Sequence, residues 1–467
     1  MSKKSIPVLL LLFCVAFFYS CKNSRNTHSS RSGKPNIIIL FTDDMGYGDL
    51  QDYGNPNIRT PNIDRLADEG IRFTSYEAAP WCVPSRAELM TGEYIPRLHF
   101  GGGTGAGGHG GLSDSVLTLA EGLKRAGYAT GMAGKWHLGY DPKKYLPTNR
   151  GFDSWLGLPY SNDYKKPYVQ TDVPLVMYRD TTVVEYPVNE DSLTIKYTHE
   201  AIRFITDHSH GKQPFFFYLA YNMPHLPIHT TTQFLGKSGA GLYGDVVETI
   251  DWSVGKVMQT LKNEHLANNT IVFFASDNGP WNNAPPRMFR VPQTPPKGEH
   301  WDLRGPNKHW FTGSSGPLRG SKHTSWEGGT RVPAMIRWPG HIEPDQVSSE
   351  LVTNLDMFRT FLTVGDGHLP DYPLDGYNML PFFTGKSRKS PRKEYAYFLH
   401  GKFTALRVGK WKLKINDKYP ELYNLQVDVS EKYNVADSHP DIVHSLRQKM
   451  DSIATRLGMN GMTFHSF

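Results

Sequence analysis

The stretch Pro35-Asn36-Ile37-Ile38-Ile39-Leu40-Phe41-Thr42-Asp43-Asp44 decides the fold. Its unbroken apolar run reads as a strand covered on both faces, the pattern of a sheet buried by helices. It stops at two carboxylates, and in open α/β sheets ligands bind at the carboxyl ends of strands. Three later segments repeat the design. Thr130 to Ala133 leads into Gly134-Lys135-Trp136-His137-Leu138-Gly139, Pro214 to Tyr221 into Asn222-Met223-Pro224-His225, and Thr270 to Ser276 into Asp277-Asn278-Gly279. Amphipathic patterns at roughly 62–69, 114–126, 196–209 and 243–264 predict helices between them, the second starting at a Ser113/Asp114 cap and stopping at Gly127. Alternating strands and helices predict an α/β fold: a large mixed, mostly parallel sheet sandwiched by helices, with one site at one edge.

The texture changes after residue 385. Short alternating runs at 394–399, 403–408, 410–415 and 421–425 predict an antiparallel sheet, with a terminal helix at 439–457 packed on it. The expected organisation is a main domain over 35–385 and a smaller C-terminal α+β subdomain over 386–467. A chain of 467 residues is long enough for both, and 39% hydrophobic with 21% charged residues is ordinary globular composition.

The net charge of +6 does not point to nucleic acid. Lys3, Lys4, Lys22, Arg25, Arg31 and Lys34 account for the whole excess, so the body from Pro35 onward is balanced. Those residues belong to a different feature. Lys3 and Lys4 precede an apolar run from Pro7 to Phe18, too short to span a membrane, which ends at Ser20-Cys21. Residues 1–21 therefore read as a lipoprotein-type signal peptide, with Cys21 as the lipidated residue, and 22–34 as a flexible tether. The expectation is an exported protein, periplasmic or at the cell surface, touching the membrane through its lipid anchor only. Of the three cysteines, Cys14 lies in the signal and Cys21 at the lipid site. Cys82 alone remains in the body, which excludes an internal disulfide and a Cys-based zinc site there.

Cys82 sits in Trp81-Cys82-Val83-Pro84-Ser85-Arg86-Ala87-Glu88-Leu89-Met90-Thr91-Gly92. Pro84 suits a first helical turn, which places Cys82 at a helix N-terminus with Arg86 about one turn on. That is a nucleophile-like setting.

Here the chain resembles the type I, formylglycine-dependent sulfatases of the alkaline-phosphatase superfamily. Cys82-Val83-Pro84-Ser85-Arg86 matches their first signature, Gly131 to Gly139 their second, and Glu421-Leu422-Tyr423-Asn424-Leu425 a segment of their small C-terminal domain. Gly151-Phe152-Asp153-Ser154-Trp155-Leu156-Gly157-Leu158-Pro159-Tyr160-Ser161-Asn162-Asp163 looks most like the arylsulfatase A and N-acetylgalactosamine-6-sulfatase branch. The resemblance implies that a maturation enzyme oxidises Cys82 to formylglycine, whose hydrate is the nucleophile. A sulfated hydrate keeps a second hydroxyl, and deprotonating it expels sulfate and restores the aldehyde; a sulfated Ser would be a stable ester.

By the same resemblance, Asp43, Asp44, Asp277 and Asn278 are metal ligands, with residue 82 as a further one. These are hard oxygen donors, which suit Ca²⁺, and Mg²⁺ less well. Arg86 orients the nucleophile, while Lys135 and Lys322 stabilise charge on the sulfate. His137 deprotonates the second hydroxyl and His225 protonates the leaving alkoxide. Ser161 is carried over as a hydrogen-bonding contact near the site. His99 and His109, flanking a glycine-rich loop, are candidate substrate contacts. Trp281, Trp301 and Trp310 are candidates for an aromatic platform under a sugar. The implied activity is hydrolysis of sulfate monoesters, with sulfated galactose or N-acetylgalactosamine of host or algal glycans as the leading substrates. The rivals are a phosphonate or phosphate monoester hydrolase of the same superfamily and a catalytically silent glycan-binding lipoprotein.

Overall fold

The computed structural model describes residues 33–98, 100, 104–289, 312–415 and 419–459. The signal segment with Cys21, the tether up to residue 32, His99, Trp301 and Trp310 lie outside the described residues. Among the described residues, no helix is long and apolar enough to cross a membrane.

Four strands carry the design anticipated from the sequence: β1 (Asn36–Thr42), β2 (Ala129–Gly134), β3 (Phe215–Ala220) and β4 (Thr270–Ser276). They lie side by side in the order β4-β1-β3-β2, all parallel. Shorter strands extend this sheet to ten among the described residues. Ala334–Arg337, Ile71–Phe73 and Gln346–Ser348 lie beyond β4, and Ser154–Gly157, Met177–Arg179 and Thr182–Glu185 beyond β2. Ala334–Arg337 runs antiparallel to β4, which makes the sheet mixed.

Every residue of β1 is buried because both faces are covered. Ile38 and Leu40 pack with α1 (Pro61–Asp68), α4 (Leu193–Asp207) and α5 (Gly241–Asn263). Ile37, Ile39 and Phe41 pack with α2 (Cys82–Thr91), α3 (Leu119–Arg125) and α6 (Asn354–Val364) on the other face. The spacing of Tyr243, Val246, Val247, Ile250, Val254, Val257 and Leu261 along α5 is the stripe of a helix with one face on a sheet.

The helix predicted at 114–126 begins later. Thr118 caps it: its hydroxyl accepts the Glu121 amide, and the Glu121 carboxylate accepts the Thr118 amide. This reciprocal box satisfies two otherwise unpaired amides. Asp114 instead receives Lys144, and Ser113 bonds Ser115, so neither caps the helix.

The C-terminal unit has strands β5 (Glu394–Leu399), β6 (Lys402–Val408), β7 (Trp411–Ile415) and β8 (Pro420–Asn424), antiparallel in sequence order. Helix α7 (Pro440–Arg456) covers it through Val443, Leu446, Met450 and Ile453. A buried ionic joint ties this sheet to the larger body. Lys412 reaches Glu327 at 2.7 Å and Glu431 at 3.1 Å, and Arg407 reaches Glu77 at 2.9 Å.

Candidate active site

Register brings the strand ends together. Thr42 of β1 lies opposite Ser276 of β4, so the next residues on each, Asp43-Asp44 and Asp277-Asn278, become neighbours. The Asp44 amide donates to Asp277 Oδ1 at 3.1 Å, and Asn278 Nδ2 donates to Asp44 Oδ1 at 2.7 Å. Lys135 follows β2 and anchors its amide on the Ala220 carbonyl at the end of β3. Its ammonium donates to Asp43 Oδ2 at 2.5 Å and to Ser161 Oγ at 2.9 Å.

Helix α2 delivers Cys82 and Arg86 from above this edge. Arg86 is fully buried, donating through Nε and Nη2 to Asp277 Oδ2 at 3.0 and 2.7 Å and through Nη1 to the Lys135 carbonyl. The Cys82 thiol lies 3.5 Å from Asp43 Oδ1. Lys322 donates to Cys82 Sγ at 3.1 Å and to Asp44 Oδ1 at 2.7 Å. The thiol is not activated, contrary to what its place at a helix N-terminus suggests. Burial pushes its pKa up to about 12, with Asp43 adding to the rise, and Lys135 and Lys322 do not compensate.

The carboxylates divide. Burial alone would raise Asp43, but Lys135, Arg86 and Lys322 together hold it well below the ordinary range. Burial raises Asp44 to about 7 despite Lys322, with Asp43 and Asp277 adding repulsion.

Both candidate imidazoles are buried and biased toward the neutral form by burial and by the neighbouring lysines. His225 Nδ1 bonds the Leu226 carbonyl at 2.5 Å, and its Nε2 faces Ser161 Oγ at 3.2 Å and Asp44 Oδ2 at 3.7 Å. Neither ring nitrogen of His137 finds a hydrogen-bond partner among the described residues. His109 does not join the cluster: it is exposed and pairs with Asp141. Trp281 is buried against His225, with the Lys322 ammonium 4.7 Å from its ring centre.

Residues 35–367 match the Sulfatase family, and residues 321–456 the C-terminal family described as N-sulphoglucosamine sulphohydrolase. The chain belongs to the sulfatase family.

Human N-acetylgalactosamine-6-sulfatase is 40% identical over 367 residues, covering 74% of this chain and 65% of that protein, so the match spans just under two thirds of that relative. Human arylsulfatase A is 34% identical over 465 residues, covering 89% and 86%. Among solved structures, one from work on the metabolism of multiple glycosaminoglycans by Bacteroides thetaiotaomicron superposes with a TM-score of 0.77 at 30% identity, covering 91% of this chain and 100% of that one.

Formylglycine and a divalent metal are general to sulfatases. The residues at the strand edge of this sulfatase fit such an ion. Ligand atoms of Asp43, Asp44, Cys82 and His225 lie within 4.8 Å of one another. Asp44 Oδ2 and Asn278 Oδ1 are buried without a hydrogen-bond partner among the described residues. Buried oxygens left unpaired are costly, and a hard cation is the partner that suits them.

One residue of this edge was quoted in the family segment without receiving a role. Asp163 is 4% exposed, its Oδ1 finds no partner among the described residues, and it lies within electrostatic reach of Lys322 and Lys135. Its only sequence signal was an acid two residues after Ser161.

Proposed function

We propose that this sulfatase hydrolyses sulfate monoesters of sugars, with galactose or N-acetylgalactosamine sulfates as the leading substrates and Ca²⁺ as the ion. The carrying observation is Lys322, whose ammonium touches both Cys82 Sγ and Asp44 at the edge where Lys135 and Arg86 also converge. Three cations around one reacting side chain suit an anionic group that must be held and then stabilised as an S–O bond breaks.

A thiol held protonated is a poor nucleophile, so Cys82 as a plain thiol is ill suited to attack, and the formylglycine general to the family is the form proposed for position 82. That aldehyde, hydrated, would supply the attacking oxygen, and a divalent ion held by Asp43, Asp44, Asp277 and Asn278 would acidify it and polarise the sulfate. The remaining work falls to the chain itself. Lys135 and Lys322 neutralise the sulfate oxygens. Burial and the neighbouring lysines bias His225 toward the neutral form, and an anionic sulfate beside it would favour the imidazolium. The imidazolium can then give a proton to the departing alkoxide. His137 is biased toward the neutral form, and its ring nitrogens, without a hydrogen-bond partner among the described residues, are open to accept one. A carboxylate is a poor neighbour for sulfate itself, so Asp163 is better matched to sugar hydroxyls, which donate to it.

A screen of galactose and N-acetylgalactosamine sulfates, with 4-nitrophenyl sulfate and 4-nitrophenyl phosphate beside them, tests the reading on protein whose Trp81–Arg86 peptide shows oxidation by mass. Sulfate release is expected, with Cys82→Ala reducing it below detection. Full activity of Cys82→Ala, or phosphate hydrolysed faster than sulfate, would overturn it.

A further inference from the structure

Three rings meet beside Cys82 from remote parts of the chain. Trp81 immediately precedes it, His323 follows Lys322, and His400 sits in the turn between β5 and β6. Their planes are nearly parallel. Trp81 and His400 are 5.0 Å apart at 28°, His323 and His400 5.4 Å at 19°, and Trp81 and His323 6.2 Å at 27°. Three such rings piled in one column would separate the outer pair by about 7 Å, twice a contact distance of roughly 3.5 Å. All three separations are shorter, so the rings are laid out as a stepped tile and not as a pile. His400 is exposed, while Trp81 and His323 are half-buried, which gives the tile a solvent side.

The tile is continuous with the reacting centre. His225 contacts Trp281 at 5.3 Å, and Trp281 meets His323 edge-on at 6.1 Å. If His225 protonates the leaving oxygen, the departing sugar lies on that side, and the line His225–Trp281–His323 leads outward from it. His323 stays uncharged: burial, with Lys322 and His400 adding, brings its pKa down to about 3. An exposed ring face of this kind suits the C–H face of a pyranose. His323 and His400 both hold left-handed backbone, at φ +62° and +48°, which few non-glycine residues adopt.

We propose that Trp81, His323 and His400 form a subsite for the sugar ring adjoining the sulfated one, so that the chain takes sulfated oligosaccharides in preference to the monosaccharide. The inference rests on the sulfatase reading of the Cys82 site. It gives the C-terminal sheet, through His400, a direct part in substrate choice.

The test compares kcat/KM for the best sugar sulfate of the screen, offered as the monosaccharide and within a tetrasaccharide, with 4-nitrophenyl sulfate as a third substrate. His400→Asn tolerates the left-handed backbone but removes the ring, and His400→Phe keeps a ring. The wild type is expected to favour the tetrasaccharide. His400→Asn should cut that preference about tenfold, through KM, and His400→Phe should retain most of it. No preference in the wild type, or a preference untouched in His400→Asn, overturns the subsite. Turnover of 4-nitrophenyl sulfate without release from any sugar sulfate overturns the sugar reading and the subsite with it. Loss of all three activities in oxidised wild type overturns the sulfatase reading instead.

Discussion

The two sheets use their strand ends differently. In the large sheet β2, β3, β1 and β4 run parallel, so their carboxyl ends fall on one edge and deliver Lys135, His225, Asp43, Asp44, Asp277 and Asn278 to one place. In the small sheet neighbouring strands alternate in direction, and the turn at His400 is what meets Trp81 and His323. Its main work is fastening. Lys412, Arg407 and Lys414 reach Glu327, Glu77 and Ser325, which fixes the segment that also carries Lys322. Parallel topology concentrates chemistry, and the antiparallel sheet holds that chemistry in position.

Three measurements would break or sharpen this contrast. The largest effect belongs to the strand edge. Arg86→Met leaves Asp277 and Asp43 buried without their guanidinium and should cost roughly 3–5 kcal/mol of stability in urea unfolding, with turnover lost. A loss near zero would mean that the edge is not held by its charges. Next comes the joint. Lys412→Met takes from Glu327 and Glu431 their shared ammonium, leaving Glu327 to Arg331 and Arg407, and should cost about 3 kcal/mol, while Glu327→Gln added to it should recover part of that loss. Sulfate release should fall with the single change, because the Lys322 segment loosens; full activity would separate the joint from the site.

The smallest effect is on pH. His229 lies between Glu190 and Asp191, and although burial opposes its charge, the two carboxylates raise its pKa from 6.5 to about 9. A raised value stabilises the fold fully below about pH 6.5, and that contribution is lost as pH rises through about 9. The melting temperature should therefore decline over that range, and His229→Gln should flatten the decline. Since Glu190 also accepts from Asn162, next to Ser161, the loss is expected to reach the strand edge first.

Much of this was legible beforehand. Ile37 to Phe41 announces a doubly covered strand by composition alone, and Cys82-Val83-Pro84-Ser85-Arg86 with Gly134-Lys135-Trp136-His137 marks the site through its resemblance to the sulfatase signatures. What escaped notice depends on distant contacts. Ser113 and Asp114 are good caps in isolation, yet Lys144 draws Asp114 away and Thr118 with Glu121 closes the helix. His109 was expected as a substrate contact, and its pairing with Asp141 could not be read from the sequence. Nothing around His400 marks it as a neighbour of Trp81 and His323, because those contacts join segments far apart in the chain.

From its residues alone, the chain determined which strands form, where they stop and which acids, lysines and histidines stand at their ends, because apolar runs and turn chemistry act over a few residues. Tertiary structure decided which of those groups are paired, which buried oxygens lack a hydrogen-bond partner among the described residues, that burial pushes the Cys82 thiol pKa up, and which rings gather at Trp81. Burial and charge act through space, and they are set by neighbours tens or hundreds of residues away.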